Sequence, residues 1–260
     1  MTQQTSTKSK GFTLIELMLS MTFVAVLLLT IAMTVIQMGT IYNQGMTLKE
    51  VNQAARDVAD DLRRSVQSSG IFAIDPSNPN ADTSDYVRLS ESVNGVSVPV
   101  TGRLCLGNYS YIWNTASAIE TNFSDRVRYL DSNGIAGDPV NFVRIADTGK
   151  KYCAKDATGF TNKNILYADT VNATELLKPG DRTIRILSFS VTTTTQGYDA
   201  TSGQRLYQFQ YTLGTGATSA MTITNGIPTS CLPPSDPNSN LSYCNVQQFS
   251  IVLRTGNAVN

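Results

Sequence analysis

One apolar stretch near the N-terminus constrains this chain more than any other feature. From Phe12 to Ile36 there are 25 residues, and Glu16 is the one formally charged side chain among them. About 20 apolar residues are enough to cross the hydrocarbon core of a bilayer. The stretch therefore predicts a membrane-spanning helix over residues 12–36.

The carboxylate of Glu16 is unusual in such a stretch. A charged side chain inside a membrane span costs about 2.5–3.5 kcal/mol on insertion scales, so it is expected to have a partner or a role. If the chain is cut between Gly11 and Phe12, a new α-amino group appears four residues before this carboxylate. An ammonium and a carboxylate attract strongly in a dry environment, and the two groups can belong to neighbouring subunits.

A short polar leader precedes the span, carries Lys8 and Lys10, and ends at Gly11. With the run GFTLIEL over residues 11–17, it resembles the N-terminus of type IV prepilins and their pseudopilin relatives. The resemblance implies that a prepilin peptidase removes residues 1–11 and that Phe12 becomes N-methylated. It also implies that Glu16 pairs with the terminal amine of an adjacent subunit during filament assembly.

Two other interpretations of this stretch stay open. One is an ordinary secretory signal peptide with a weak cleavage site near Ala32, although apolar residues continue to Ile36. The other is a simple single-pass anchor in which Glu16 is incidental.

The charges indicate orientation and give no support to a nucleic-acid partner. Lysines at positions 8 and 10 favour a cytoplasmic N-terminus, which places the chain after residue 36 outside the cytoplasm. The whole chain has a formal charge of zero, and removal of the leader leaves a small acidic excess. With no basic surplus, a nucleic-acid partner is not expected.

The four cysteines all follow the span, where an oxidising compartment permits disulfides. They allow three connectivities, of which we favour Cys105–Cys153 and Cys231–Cys244 because sequence neighbours close the smallest loops. A bridge closing a loop of about 15 residues contributes about 3 kcal/mol in the chain-entropy model. Zinc is disfavoured, because the chain has no histidine and no Cys-x-x-Cys pair.

A second helical pattern follows the span. Between residues 47 and 69, apolar side chains recur every three or four positions: Leu48, Val51, Ala55, Val58, Leu62 and Val66. The opposite face is predicted to carry the charged residues Lys49, Glu50, Arg56, Asp57, Asp60, Asp61, Arg63 and Arg64, with Asp60 and Arg64 as a weak i,i+4 pair. Gly70 is a plausible C-cap. The pattern predicts a nearly continuous helix over 12–69, with an amphipathic half over 37–69.

Three later segments predict antiparallel strands with one buried face. Their apolar residues fall on a strand over about 183–195 with a bulge near Leu187, on a second around 207–213, and on a third around 249–253. Weaker strand candidates are Tyr86–Leu89, Val96–Val100, Tyr109–Trp113, Arg126–Leu130 and Asn141–Ile145.

Helix and strands together predict an α+β fold that resembles the pilin fold. In it, a long N-terminal helix, first transmembrane and then amphipathic, packs on an antiparallel β-sheet. Residues 70–260 are expected to form an exported, β-rich globular domain. The region of about 70–180, an enlarged helix-to-sheet connection, is too long for an ordinary loop and must carry structure of its own.

The sequence gives few indications of a metal, recognition or catalytic site. Asn78, Asn80 and Asp82 stand at alternate positions, as calcium ligands do, but the segment lacks the glycine and distal glutamate of an EF-hand loop. Asn, Asp, Ser and Pro also make ordinary turns, so these are weak calcium candidates. Trp113, with the nearby tyrosines, is either part of the core or part of a recognition surface, and core is favoured. No catalytic constellation is recognisable, so we expect no enzyme activity and no cofactor.

The predicted function is that of a structural filament subunit, and the chain most resembles a larger minor pilin. Expected partners are other pilin subunits, the prepilin peptidase, the assembly machinery of the inner membrane, and membrane lipid before assembly. The subunit is expected in the cytoplasmic (inner) membrane first and on the cell surface in a pilus afterwards. Alternatives are a major pilin, a type II secretion pseudopilin and, from another class, a membrane-anchored adhesin that does not polymerise.

Overall fold

The computed structural model describes residues 11–74, 86–89, 101–156, 159–177, 183–199 and 204–256. The predicted leader before Gly11, the strand candidate Val96–Val100 and the calcium candidates Asn78, Asn80 and Asp82 lie outside these ranges. The chain divides into two units, residues 1–43 and residues 44–260.

The described part combines one long helix with antiparallel sheets, which confirms the α+β class. The helices are α1 (Leu14–Ser68) and α2 (Ala116–Glu120), with 3₁₀ turns at Tyr167–Asn172 and Thr218–Ala220. The strands are β1 (Ala73–Ile74), β2 (Tyr86–Leu89), β3 (Thr101–Leu106), β4 (Tyr109–Asn114), β5 (Arg128–Leu130), β6 (Ala136–Pro139), β7 (Phe142–Ala146), β8 (Lys155–Asp156), β9 (Gly159–Phe160), β10 (Ala173–Glu175), β11 (Ile184–Asp199), β12 (Gln204–Thr215), β13 (Met221–Thr224), β14 (Ile227–Cys231) and β15 (Asn245–Arg254).

In the first unit, α1 is long and apolar enough to cross a membrane. The large apolar side chains of this unit are exposed, with Phe12, which lies just before the helix, at 80 % and Leu14 at 78 %. The hydroxyl groups along it donate to backbone carbonyls three or four residues earlier, as Ser20 does to Leu17 at 2.9 Å and Thr34 to Thr30 at 2.8 Å. Such bonds satisfy polar groups that lipid leaves without water.

In the second unit, the amphipathic part of α1 buries one face. Val51, Ala55, Val58, Leu62 and Val66 are at most 2 % exposed, as their spacing predicts. Leu48 departs from the pattern, because it is 40 % exposed.

The predicted charged face needs two corrections in its last turns. Asp61 is buried, only 5 % exposed, because it bonds to residues of the sheet that covers the helix. The predicted pair of Asp60 and Arg64 is wrong: Asp60 pairs with Arg63 at 2.7 Å, and the Arg64 guanidinium lies 3.8 Å from Asp61.

The connection after the helix is a six-stranded sheet in the order β1-β2-β3-β4-β7-β10. Strands β1 and β2 run parallel, and the other neighbours run antiparallel. One close approach within it requires glycine, because a Cβ at Gly102 would lie 2.0 Å from the Trp113 ring. The expectation that this region carries structure of its own is therefore confirmed.

The C-terminal strands form a second, three-stranded antiparallel sheet in the order β11-β12-β15. Its register pairs Phe189 with Tyr211 and Tyr211 with Phe249. The predicted bulge near Leu187 is confirmed, because the register shifts between Ile186 and Ser188. Two-stranded ladders β13-β14, β5-β6 and β8-β9 complete the described strands.

The main hydrophobic core lies where α1 and the two sheets meet. The helix contributes Val58 and Leu62, the six-stranded sheet Trp113 and Phe142, and the three-stranded sheet a set of aromatic residues that includes Phe189. The ring centroids of Trp113 and Phe189 are 4.5 Å apart. A second cluster, which contains Ile112 and Val143, covers the other face of the six-stranded sheet. Trp113 is thus a core residue, and the recognition-surface interpretation is wrong for it.

Buried tyrosines make the folded state sensitive to alkali. Burial, the largest cause, raises the pKa of Tyr211 to about 12, and it raises the pKa of Tyr111, Tyr152 and Tyr207 and of the partly buried Tyr129 as well. The unfolded chain loses these protons near pH 10, while the folded chain retains them. Stability is therefore fully present below about pH 10 and is lost as the pH rises toward the folded pKa values.

We expect cooperative unfolding above about pH 10, followed by circular dichroism and by the ultraviolet absorbance of tyrosinate. Each buried tyrosine should lower the folding equilibrium constant about tenfold per pH unit in that range. Tyr211→Phe should make the loss of stability with rising pH less steep. Tyr167→Phe, at a tyrosine that is 59 % exposed, should leave that pH dependence unchanged. Titration of all tyrosines near pH 10 without unfolding would contradict the expectation.

Candidate processing and assembly site

The peptide bond predicted to be cut lies in open backbone. Residues 11–13 precede α1 without regular secondary structure, and the Phe12 side chain is 80 % exposed. A Cβ built at Gly11 would meet nothing within 4 Å. Among the described residues, therefore, nothing obstructs the bond between Gly11 and Phe12, which a peptidase must reach.

The helix begins with a reciprocal cap between Thr13 and Glu16. The Glu16 backbone N–H donates to Thr13 Oγ1 at 3.4 Å, and Glu16 Oε2 accepts from the Thr13 backbone N–H at 3.4 Å and its hydroxyl at 3.2 Å. This is the capping-box arrangement, in which a Thr and a Glu three residues later satisfy the first free N–H groups of a helix. The negative side chain also suits the positive end of the helix dipole.

The cap gives the Glu16 carboxylate a local role that the sequence analysis did not identify. The bonds are long for O–H···O and N–H···O contacts, so they hold the carboxylate weakly. Glu16 also lines an open apolar groove on the helix with Phe12, Leu19, Phe23 and others, and it is the charged group of that groove. A weakly held carboxylate in an apolar groove is available to a stronger cationic partner.

The structure places the cysteines in pairs. Cys105 lies beside Cys153 with 6.4 Å between their Cα atoms, and Cys231 lies beside Cys244 with 5.9 Å. These are the two pairs that sequence proximity favours. Cys105 and Cys153 are at most 1 % exposed, and the Ser110 hydroxyl beside them donates to the buried Asp147 at 2.7 Å.

Other candidates yield no metal centre in the described part of the chain. The calcium candidates Asn78, Asn80 and Asp82 fall outside it. Within it, no group of three or more His, Cys, Asp or Glu side chains is arranged to hold a metal ion.

Sequence reasoning missed two polar clusters of the second unit. Asp61 of α1 meets Arg144 of β7, and Glu120 of α2 meets Arg185 of β11. The partners are 83 and 65 residues apart in sequence, so no local pattern joins them. The one available signal was an aspartate next to Leu62 on the edge of an apolar helix face.

Comparison of the chain with protein-family models, with curated proteins and with solved structures finds no match.

Proposed function

We propose that this chain is a subunit of a type IV pilus or of a related secretion filament, most like a larger minor pilin. A prepilin peptidase would cut between Gly11 and Phe12, and the mature chain would enter the filament through α1. The observation that carries the proposal is the position of Glu16 as the lone charge of a 25-residue apolar stretch, five residues after Gly11 and four after Phe12.

The geometry of the first turn supports a role in assembly. A new amine at Phe12 would appear one turn before the weakly capped Glu16 carboxylate. In the dry core of a filament, an amine of a neighbouring subunit would form a stronger, charge-assisted bond than the Thr13 hydroxyl does. The exposed apolar side chains around Glu16 would pack on lipid before assembly and on neighbouring helices afterwards.

The second unit supports a pilin-like architecture. Its part of α1 buries an apolar stripe against the six-stranded and three-stranded sheets. The large six-stranded sheet between α1 and β11 is an enlargement of the helix-to-sheet region, which favours a minor rather than a major subunit. Lys8 and Lys10 before the span favour an N-terminus in the cytoplasm and a second unit outside it.

Mass spectrometry of the mature N-terminus tests the proposal. We expect a chain that begins at Phe12 and is about 14 Da heavier through one added methyl group. Gly11→Val should keep the leader attached, because the side chain obstructs the residue before the cut. Gly39→Val is the matched control, since a Cβ at Gly39 also meets nothing within 4 Å, and it should be processed normally. Chains that retain residues 1–11, or that begin near Ala32, would refute the proposal.

A further inference from the structure

The second unit contains an open cavity whose lining combines an ion pair with apolar surface. It measures about 440 Å³ and is lined by residues of α2, β11 and the end of β12, together with Tyr243. This volume falls within the range of about 300–1,000 Å³ that is typical of small-molecule sites. The cavity is therefore large enough for a small organic ligand.

An ion pair forms the most polar part of the lining. Arg185 Nη1 donates to Glu120 Oε1 at 2.7 Å, and the side chains of both residues are 25 % exposed. Glu120 Oε2 accepts from the Thr218 backbone N–H at 3.0 Å and from the Thr218 hydroxyl. The remaining lining residues are uncharged, so the formal charge of the lining is zero. A neutral lining favours a neutral, polar ligand over an ion.

The ion pair is costly for the fold. Arg185 Nε is buried and has no hydrogen-bond partner among the described residues. A buried donor without a partner is unfavourable, and a partly buried ion pair does little to offset this. Polar groups that a fold retains at such a cost are expected at functional sites.

The chemistry of the lining matches that of a sugar. Each sugar hydroxyl both donates and accepts, and the adjacent carboxylate and guanidinium of Glu120 and Arg185 offer acceptors and donors side by side. Tyr243 is 49 % exposed and offers an aromatic face, on which the apolar C–H groups of a sugar ring can pack.

The site is held in place by several separate constraints. Tyr243 precedes Cys244, which pairs with Cys231, and its carbonyl accepts from the Thr215 hydroxyl at 2.5 Å. Gly216 bends the lining backbone in the left-handed region, with φ of 92°. A preformed site loses less entropy on binding than a mobile one.

We propose that this cavity binds a neutral carbohydrate, as a mono- or disaccharide unit of a glycan. The ligand would bond its adjacent hydroxyl groups to Glu120 and Arg185 and pack its ring on Tyr243. The proposal goes beyond the filament function and does not depend on it, because the cavity belongs to the second unit and not to the N-terminal site.

The test is a titration of the full-length chain in a detergent without a sugar headgroup, such as lauryldimethylamine oxide. The probes are glucose, galactose, N-acetylgalactosamine and lactose, with N-acetylneuraminic acid as an acidic comparator. Binding is measured by saturation-transfer NMR and calorimetry. We expect saturable binding of at least one neutral sugar, with Tyr243→Ala weakening it about tenfold or more.

A matched substitution separates the cavity from the rest of the surface. Tyr167→Ala changes another exposed tyrosine, outside the cavity lining, and should leave the affinity unchanged. Glu120→Gln retains the shape of the side chain but removes its charge, and it should weaken binding about tenfold because charge-assisted hydrogen bonds are the stronger ones. The proposal is overturned if no neutral sugar binds saturably, if only the acidic sugar binds, or if Tyr243→Ala binds as Tyr167→Ala does. None of these results would change the mass expected for the mature N-terminus, so the carbohydrate proposal can fail while the filament proposal holds.

Discussion

Glu16→Ala is expected to leave the protein processed and inserted in the membrane but absent from filaments. Removal of a carboxylate from a membrane span makes insertion more favourable, by up to about 2.5–3.5 kcal/mol at the centre and less near the interface. A failure to assemble therefore does not follow from a failure to insert. It follows from the loss of the group that would pair with the amine of a neighbouring subunit. The measurement compares the amount of the variant in membrane fractions with its amount in sheared filaments.

Two further substitutions separate pairing from helix capping. Glu16→Gln preserves the capping box, because glutamine can take the place of glutamate there, but it has no charge to offer an amine. We expect Glu16→Gln to be absent from filaments, as Glu16→Ala is. Thr30→Ala is the control further along the span, where the hydroxyl donates to the Leu27 carbonyl of its own helix at 2.8 Å and does not line the groove of Glu16, and it should assemble normally. Normal amounts of Glu16→Ala in filaments would favour a membrane-anchored adhesin that does not polymerise.

The long helix and the C-terminal strands could be predicted because their signals are local. The apolar run from Phe12 to Ile36 and the three-to-four spacing from Val51 to Val66 each determine the environment of α1 over many residues. Alternation at Tyr207, Phe209 and Tyr211 likewise identified a strand with one buried face, and these three side chains are at most 1 % exposed.

The six-stranded sheet was only partly predictable, because its strands are short and some of them are buried on both faces. In β4, neighbours such as Ile112 and Trp113 are both fully buried, since one lies in each hydrophobic cluster. Such a strand shows no alternation of apolar and polar residues. Individual strands such as Tyr86–Leu89 were identified, but their assembly into one sheet depends on pairings between distant segments.

The two polar clusters could not be predicted from the sequence, for a related reason. A charge on a helix is ordinarily assigned to the solvated face, and Asp61 was assigned there with its neighbours. Its burial depends on Arg144, which lies 83 residues away, and on the Tyr111 hydroxyl. The cavity at Glu120 and Arg185 likewise depends on a meeting of α2 with β11 that no spacing encodes.

Asp61→Ala is expected to lower the free energy of unfolding by about 3 kcal/mol, because it removes a buried carboxylate that bonds α1 to the six-stranded sheet. Asp61 Oδ1 accepts from Arg144 Nη1 at 2.5 Å, and Oδ2 accepts from the Tyr111 hydroxyl at 2.8 Å. Breaking a buried ion pair from one side costs about 3–5 kcal/mol, because the other charge is left without compensation. The Arg144 side chain is 28 % exposed, so water can reach it and the lower end of that range applies.

Asp60→Ala is the control for this effect, one residue earlier on the same helix. The Asp60 side chain is 63 % exposed and pairs with Arg63, so its loss should change stability by no more than about 0.5 kcal/mol. Adding Arg144→Ala to Asp61→Ala should recover part of the stability that Asp61→Ala loses, because the unpaired guanidinium is then removed as well. Urea unfolding of the four proteins in one detergent measures these differences. Equal midpoints for Asp61→Ala and Asp60→Ala would show that the contact between Asp61 and Arg144 does not stabilise the packing of α1 on the sheet.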